Sequence, residues 1–248
     1  MATIQCKNNK NMPKLDGFPS RPLAFVFDLD NTLAGLGKPA EDFTVSLLRQ
    51  VEKRGHIVIS SGKPLYYLCG FARQLGLDHP ILMGENGALI QFGVDLPPKV
   101  VLRTDYPEGA DKEIESLRQR IVSLFPDIWF QPNEVCLTPF PTREREWEAI
   151  GSMAKELKES ELDVFRHNDS FDFIPKGIDK GKGCRILAEY LGLGKGQIYG
   201  FGDACNDIPL LESCGHSYAV SEALRPYAEH YFKSIDEALE NLLSKLSE

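Results

Sequence analysis

Ala24-Phe-Val-Phe-Asp-Leu-Asp-Asn-Thr-Leu33 is an apolar run that ends in two carboxylates two residues apart. Leu23–Phe27 is short, apolar and rich in β-formers, with no polar alternation, the pattern of a strand covered on both faces of a sheet. Asp28 and Asp30 therefore fall where the chain leaves the sheet, and unpaired charge is costly there. Some other part of the chain must offset it.

The neighbouring segments extend the pattern. Glu41–Arg54 carries Phe43, Leu47, Leu48 and Val51 at helical spacing, with Gly55 as its stop. His56–Ser60 is a second apolar strand, and Pro64 suits the first turn of a helix through Tyr67, Leu68 and Phe71 to Leu75. Strand, helix, strand, helix predicts a parallel, doubly wound sheet. After Met83-Gly-Glu-Asn-Gly87 the rhythm changes. Ala88–Phe92 and Lys99–Arg103 read as strands about the turn Gly93–Pro98, followed by a helix over Gly109–Phe125 and a strand over Ile128–Thr138. A helix over Arg143–Lys158 and a hairpin of Leu162–Arg166 with Phe171–Ile174 complete a mixed region. The parallel rhythm returns with a helix at Cys184–Tyr190, a strand at Gln197–Phe201, a helix from Ile208, a strand at Ser217–Val220 and a closing helix at Ile235–Leu246.

Composition narrows the function classes. The chain has 248 residues and a formal net charge of −8, with no basic run of the kind that binds nucleic acid or an anionic membrane. Six scattered cysteines form no CxxC pair, so they read as free thiols of a reducing compartment. The polar N-terminus has no apolar signal core, and a cytoplasmic location is the expectation.

Ligands of α/β sheets bind beyond the carboxyl ends of the strands. Four polar clusters are predicted to face that edge: Asp28-Leu-Asp-Asn-Thr32, Ser60-Ser-Gly-Lys63, Asp179-Lys-Gly-Lys182 and Gly202-Asp-Ala-Cys-Asn-Asp207. Asp28, Asp30, Asp203 and Asp207 would crowd one crevice and raise one another's pKa unless a cation sat among them. Hard oxygen donors without His or Cys suit Mg²⁺ better than Zn²⁺. Such a metal facing a basic residue suits a phosphate group, with Lys180 supplying charge, Ser61 a hydroxyl, and Gly62 and Asn31 their amides. A lone Asp at a strand end is more often a cap or turn residue; four clusters together argue for a site.

In order and spacing these clusters resemble the motifs of the haloacid dehalogenase superfamily of phosphatases: DLDNTL the first, Ser61 the second, Lys180 in DKGKG the third, GDACND the fourth. GENGA and the position of the insert between the second and third motifs resemble the Cof-type subgroup, which includes sugar-phosphate, phosphoglycolate and mannosyl-phosphoglycerate phosphatases. Lys63 stands where that family more often has arginine. The resemblance implies an α/β fold, a Rossmann-like parallel sheet core flanked by helices with an inserted α+β cap. Residues 1–21 themselves read as a flexible tail or as an extended arm packed on the surface, with 22–85 and 176–248 the expected core and 86–175 the expected cap, closing over the site. It further implies that Asp28 attacks phosphorus, Asp30 acts as general acid and base, and Lys180 steadies both nucleophile and phosphoryl oxygens. Asp28, the Asp30 carbonyl and Asp203 would hold Mg²⁺, with Asp207 in support. Ser61 and the Gly62 and Asn31 amides would donate to the phosphate, Thr32 would orient the loop and the acid, and Asn206 would position Lys180 or the substrate.

The expected function is Mg²⁺-dependent hydrolysis of a small phosphorylated metabolite by a monomer or small homo-oligomer. A phosphomutase on the same scaffold, a DxD glycosyltransferase and a non-catalytic phosphometabolite sensor are the rivals. Arg143, Arg145, Arg166 and His167 of the insert read as solvated, and Glu85-Asn86 as either a substrate contact or a turn cap.

Overall fold

In the computed structural model residues 3–5, 17–157 and 159–247 are described. The chain divides into two compact units, one of residues 1–104 and 179–248, the other of residues 105–178. The first unit opens with β1 (Thr3–Gln5), β2 (Ala24–Asp28), α1 (Asp42–Glu52), β3 (His56–Ser60), α2 (Leu65–Leu75), β4 (Ile81–Gly84), β5 (Leu89–Phe92) and β6 (Val101–Arg103). The second holds α3 (Ala110–Leu124), β7 (Trp129–Gln131), β8 (Thr138–Phe140), α4 (Glu144–Glu156), β9 (Leu162–Arg166) and β10 (Phe171–Pro175). The first unit then resumes with α5 (Lys180–Leu191), β11 (Ile198–Gly202), α6 (Ile208–Ser213), β12 (His216–Ala219), β13 (His230–Tyr231) and α7 (Ile235–Lys245).

Nine strands form one sheet in the order β1-β6-β5-β4-β3-β2-β11-β12-β13. From β4 to β13 all pairs are parallel, and β2 and β3 are buried at every position, as their uninterrupted apolar runs require. The helices pack by one-sided patterning. In α1 the buried Thr44, Leu47, Leu48 and Val51 recur at helical spacing. The α/β class expected from the sequence is the one observed, with a mixed sheet in place of a purely parallel one. The antiparallel pairs are β4 with β5 and β5 with β6.

Those two pairs move a boundary. Leu89–Phe92 and Val101–Arg103, assigned above to the insert, extend the large sheet, and the second compact unit begins only at Asp105. Period and composition describe a strand but not its partner, so an antiparallel hairpin at a sheet edge reads like the start of a new domain. Of the two readings of residues 1–21, the flexible tail gives way to the packed arm where the stretch is described. Thr3–Gln5 pairs in parallel with Val101–Arg103, the Phe18 ring stacks on His56 with centroids 5.5 Å apart, and Arg21 donates to the Glu52 and Gly55 carbonyls. Residues 1–2 and 6–16 of that tail lie outside the described residues.

Within the second unit, α3 and α4 contribute Ile114, Leu117, Ile121, Ile150 and Met153 to a core shared with Phe171 and Phe173. The single strand expected over Ile128–Thr138 is two short antiparallel strands, β7 and β8, because Pro132 has no N–H for a ladder. Leu137 and Phe173 exchange backbone hydrogen bonds of 3.0 and 2.9 Å. No helix among the described residues is long and apolar enough to cross a membrane.

Candidate active site

β2 lies between β3 and β11, parallel to both, with Asp28 in register with Ser60. Three parallel carboxyl ends thus open on one edge. Asp28 ends β2, Ser61 follows β3 and Asp203 follows β11.

α5 brings the cation. The helix starts at Lys180, four residues before the apolar pattern begins, because Asp179 caps it: its Oδ1 accepts from Lys182 N at 2.7 Å. At Gly181 a Cβ would lie 2.2 Å from the Pro209 carbonyl oxygen, so only glycine allows α5 to start this close to α6. Lys180 is thereby held in the interior with 1% of its surface exposed. Its Nζ donates to Asp28 Oδ1 and, at 2.5 Å, to Asp207 Oδ1.

Asp207 is fully buried, and its other oxygen, Oδ2, accepts from Asp203 N at 3.0 Å and Ala204 N at 3.1 Å. Thr32 Oγ1 donates to Asp203 Oδ1 at 2.9 Å. The first, third and fourth clusters are therefore joined by direct hydrogen bonds.

The electrostatics follow from burial. Loss of water pushes the Asp28 carboxyl up to about 8; Asp207 and Asp203 push the same way, while Lys180 pulls it down. Asp203 is raised chiefly by burial. Burial opposes the charge on Lys180, but the Asp28 and Asp207 carboxylates outweigh it and hold the ammonium above the usual lysine range. Asp28, Asp203 and Asp207 each offer an oxygen within 4.8 Å of the others. Three carboxyls around one ammonium leave the pocket short of positive charge. A donor set of oxygens alone, with two carboxyls raised by desolvation, fits a hard divalent cation such as Mg²⁺.

The remaining candidates are placed as follows. Ser61 is buried, and its Oγ accepts from Lys63 N at 3.2 Å; Gly62 beside it is half-buried. Asp30 is half-buried and lies outside the three-carboxyl group. Two expectations change. The Asn31 amide, assigned to phosphate, instead donates to the Ala34 carbonyl at 2.6 Å, closing the loop after β2 with Asn31 at φ 64°. Asn206 is exposed and hydrogen-bonds no described residue, so of its two expected partners Lys180 is held by Asp207 instead, which leaves only the substrate. The nearly full use of Asp207's oxygens likewise makes it the partner of Lys180 and the 203–204 backbone before any metal.

In the second unit, Arg166 lies over the Trp147 and Phe171 rings and Arg145 over Phe125, while Arg143 pairs with Glu146 and His167 with Asp172. All four are exposed, as the solvated reading expects, and make these contacts at the surface. Among the described residues Cys69, Cys136, Cys184, Cys205 and Cys214 are free thiols, as expected; Cys6 lies outside them.

Residues 25–114 and 108–237 match the haloacid dehalogenase-like hydrolases, and the chain belongs to that family. Its relatives include phosphoglycolate phosphatases of Methanopyrus kandleri, 27% identical over 80% of this chain and 84% of that one, and of Methanococcoides burtonii, 26% identical over 81% and 84%. Among solved structures, a haloacid dehalogenase-like hydrolase from Bacteroides thetaiotaomicron superposes with a TM-score of 0.72 at 17% identity, covering 90% of this chain and all of that one. A Thermotoga maritima protein superposes with a TM-score of 0.70 at 20% identity, covering 88% and 97%. The chain is thus a hydrolase by family.

Proposed function

We propose that this hydrolase is a Mg²⁺-dependent phosphatase that cleaves a small phosphomonoester through a phosphorylated Asp28. One observation carries the reading: Asp28, Asp203 and Asp207 converge within 4.8 Å, with the Lys180 ammonium hydrogen-bonded to two of them, at the open edge of a parallel sheet. The named relatives that are phosphoglycolate phosphatases support a phosphorylated substrate.

Asp28, Asp203 and the Asp30 carbonyl would hold the metal, which when bound supplies positive charge between the carboxylate and the phosphoryl group. Asp28 Oδ1 is tied to Lys180, which leaves Oδ2 to attack phosphorus. The O–P bond to Asp28 forms as the ester P–O bond breaks, and the Asp30 carboxyl gives its proton to the leaving oxygen. Asp30 then takes a proton from water as the water attacks the aspartyl-phosphate, which restores Asp28 and releases inorganic phosphate. Lys180 holds Asp28 in place and offsets charge on the phosphoryl oxygens, and Ser61 and the Gly62 amide serve as neutral donors.

Phosphate release across a broad panel of phosphorylated sugars and acids, with MgCl₂ and with EDTA, tests the reading. Magnesium-dependent release from small esters is the expected result. A protein that releases no phosphate from any of them, with or without metal, is not this enzyme.

A further inference from the structure

The turn between β4 and β5 holds two consecutive non-glycine residues in the left-handed region, Glu85 at φ 51° and Asn86 at φ 56°. Such backbone persists only where its surroundings fix it, and it concentrates at functional sites. The fixing contacts are visible. Glu85 N donates to the Lys63 carbonyl and Asn86 N to the Ser61 carbonyl, both at 3.0 Å, and Ser61 N donates to the Met83 carbonyl at 3.0 Å. On its other side the turn abuts the start of α5: at Gly87, φ 93°, a Cβ would lie 2.6 Å from the Asp179 carbonyl oxygen. The turn is wedged between the loop that carries Ser61 and the residue before Lys180.

The Asn86 side chain lies over that loop. Its Nδ2 and Oδ1 are 3.3 and 3.5 Å from the point a Cβ on Gly62 would occupy. The residue is 7% exposed. Its carboxamide hydrogen-bonds no described residue, yet neither polar atom is among those sealed from solvent without a partner. A side chain more than nine-tenths buried, unpaired and still open at its polar end is a donor awaiting a ligand.

We propose that Asn86 contacts the substrate, its Nδ2–H donating to a phosphoryl oxygen of the ester seated at Ser61 and Gly62. The assignment rests on the phosphatase reading above. It explains both the residue type and the strain. Asn tolerates the left-handed region, and it offers a neutral donor where Asp would turn a negative charge toward the phosphate.

The test compares wild type, Asn86→Gly and Asn86→Asp in p-nitrophenyl phosphate turnover, in inorganic phosphate binding by calorimetry with MgCl₂, and in thermal melting. Asn86→Gly keeps the left-handed backbone and removes the amide, so KM and the phosphate Kd should rise about 10-fold, the equivalent of one hydrogen bond, with kcat little changed. Asn86→Asp should bind phosphate more weakly still while melting close to wild type. A structural role alone would not set Asp apart from Gly in phosphate affinity. Variants that match a phosphate-binding, active wild type in KM and Kd overturn the assignment and leave the phosphatase reading standing. A wild type that neither binds phosphate nor releases it overturns both.

Discussion

Lys180 Nζ donates to Asp207 Oδ1 at 2.5 Å, while Asp207 Oδ2 gathers the Asp203 and Ala204 N–H groups at 3.0 and 3.1 Å. One buried carboxylate thus fixes the cation at the head of α5 and the backbone that presents Asp203. Both oxygens and the negative charge are needed for this. The arrangement ties stability to catalytic geometry, and the first prediction follows from it.

Lys180→Met leaves the buried Asp28 and Asp207 carboxylates without their cation. Removing one member of a buried ion pair costs about 3–5 kcal/mol. Urea unfolding should record a loss of that order, and the double variant Lys180→Met/Asp207→Asn should recover part of it by removing an uncompensated charge. A single variant as stable as wild type would mean that Lys180 is not the charge that offsets these acids.

Asp28→Asn should lose phosphate release by about 1000-fold or more, since an amide cannot form the phosphorylated intermediate. Asp30→Asn should lose about 10²–10⁴-fold, the usual contribution of a general acid. Steady-state assays on the best ester from the panel check both, and turnover by Asp28→Asn at the wild-type rate would remove Asp28 as nucleophile.

Divalent metal should stabilise the fold as well as activate it. The burial-raised carboxyls of Asp28 and Asp203 show that negative charge is held there at a cost, so MgCl₂ should raise the melting temperature and EDTA lower it. At metal 100-fold above Kd the gain is about 2.7 kcal/mol. Asp203→Asn should shrink the shift. Melting curves that ignore magnesium would contradict the proposed ligand set.

His56 gives a pH dependence remote from the metal ligands. Burial, with help from Arg21 and His79, lowers its pKa from 6.5 to about 4, and Phe18 stacks on its ring. Above pH 6.5 both folded and unfolded states are neutral at this position. Between 6.5 and 4 only the unfolded state takes up the proton, so stability falls with pH across that window, by about 3 kcal/mol in all. His56→Phe, which keeps a ring against Phe18, should lose less stability than wild type between pH 7 and 4.5 in urea titrations. Parallel losses in the two proteins would assign the acid sensitivity elsewhere.

Legibility in the sequence was uneven for physical reasons. The strands β2, β3 and β11 and helix α1 declare themselves because burial on both faces, or on one helical face, imposes a local apolar period. The start of α5 was less visible: Lys180, Gly181 and Lys182 have no apolar period, and the Asp179 cap is what begins the helix. Asn86 offered a weak signal, an Asn-Gly pair after a strand, which also describes an ordinary turn.

Read alone, the amino-acid order determined the α/β class and the four polar clusters at strand and helix ends, because local hydrophobic patterning and residue chemistry are carried along the chain. Tertiary structure alone decided that Val101–Arg103 completes the large sheet, that Asn31's amide serves Ala34, and that Asp207 belongs first to Lys180. Each of these depends on which distant group meets a given donor, acceptor or strand edge, and that is set by packing of the whole core.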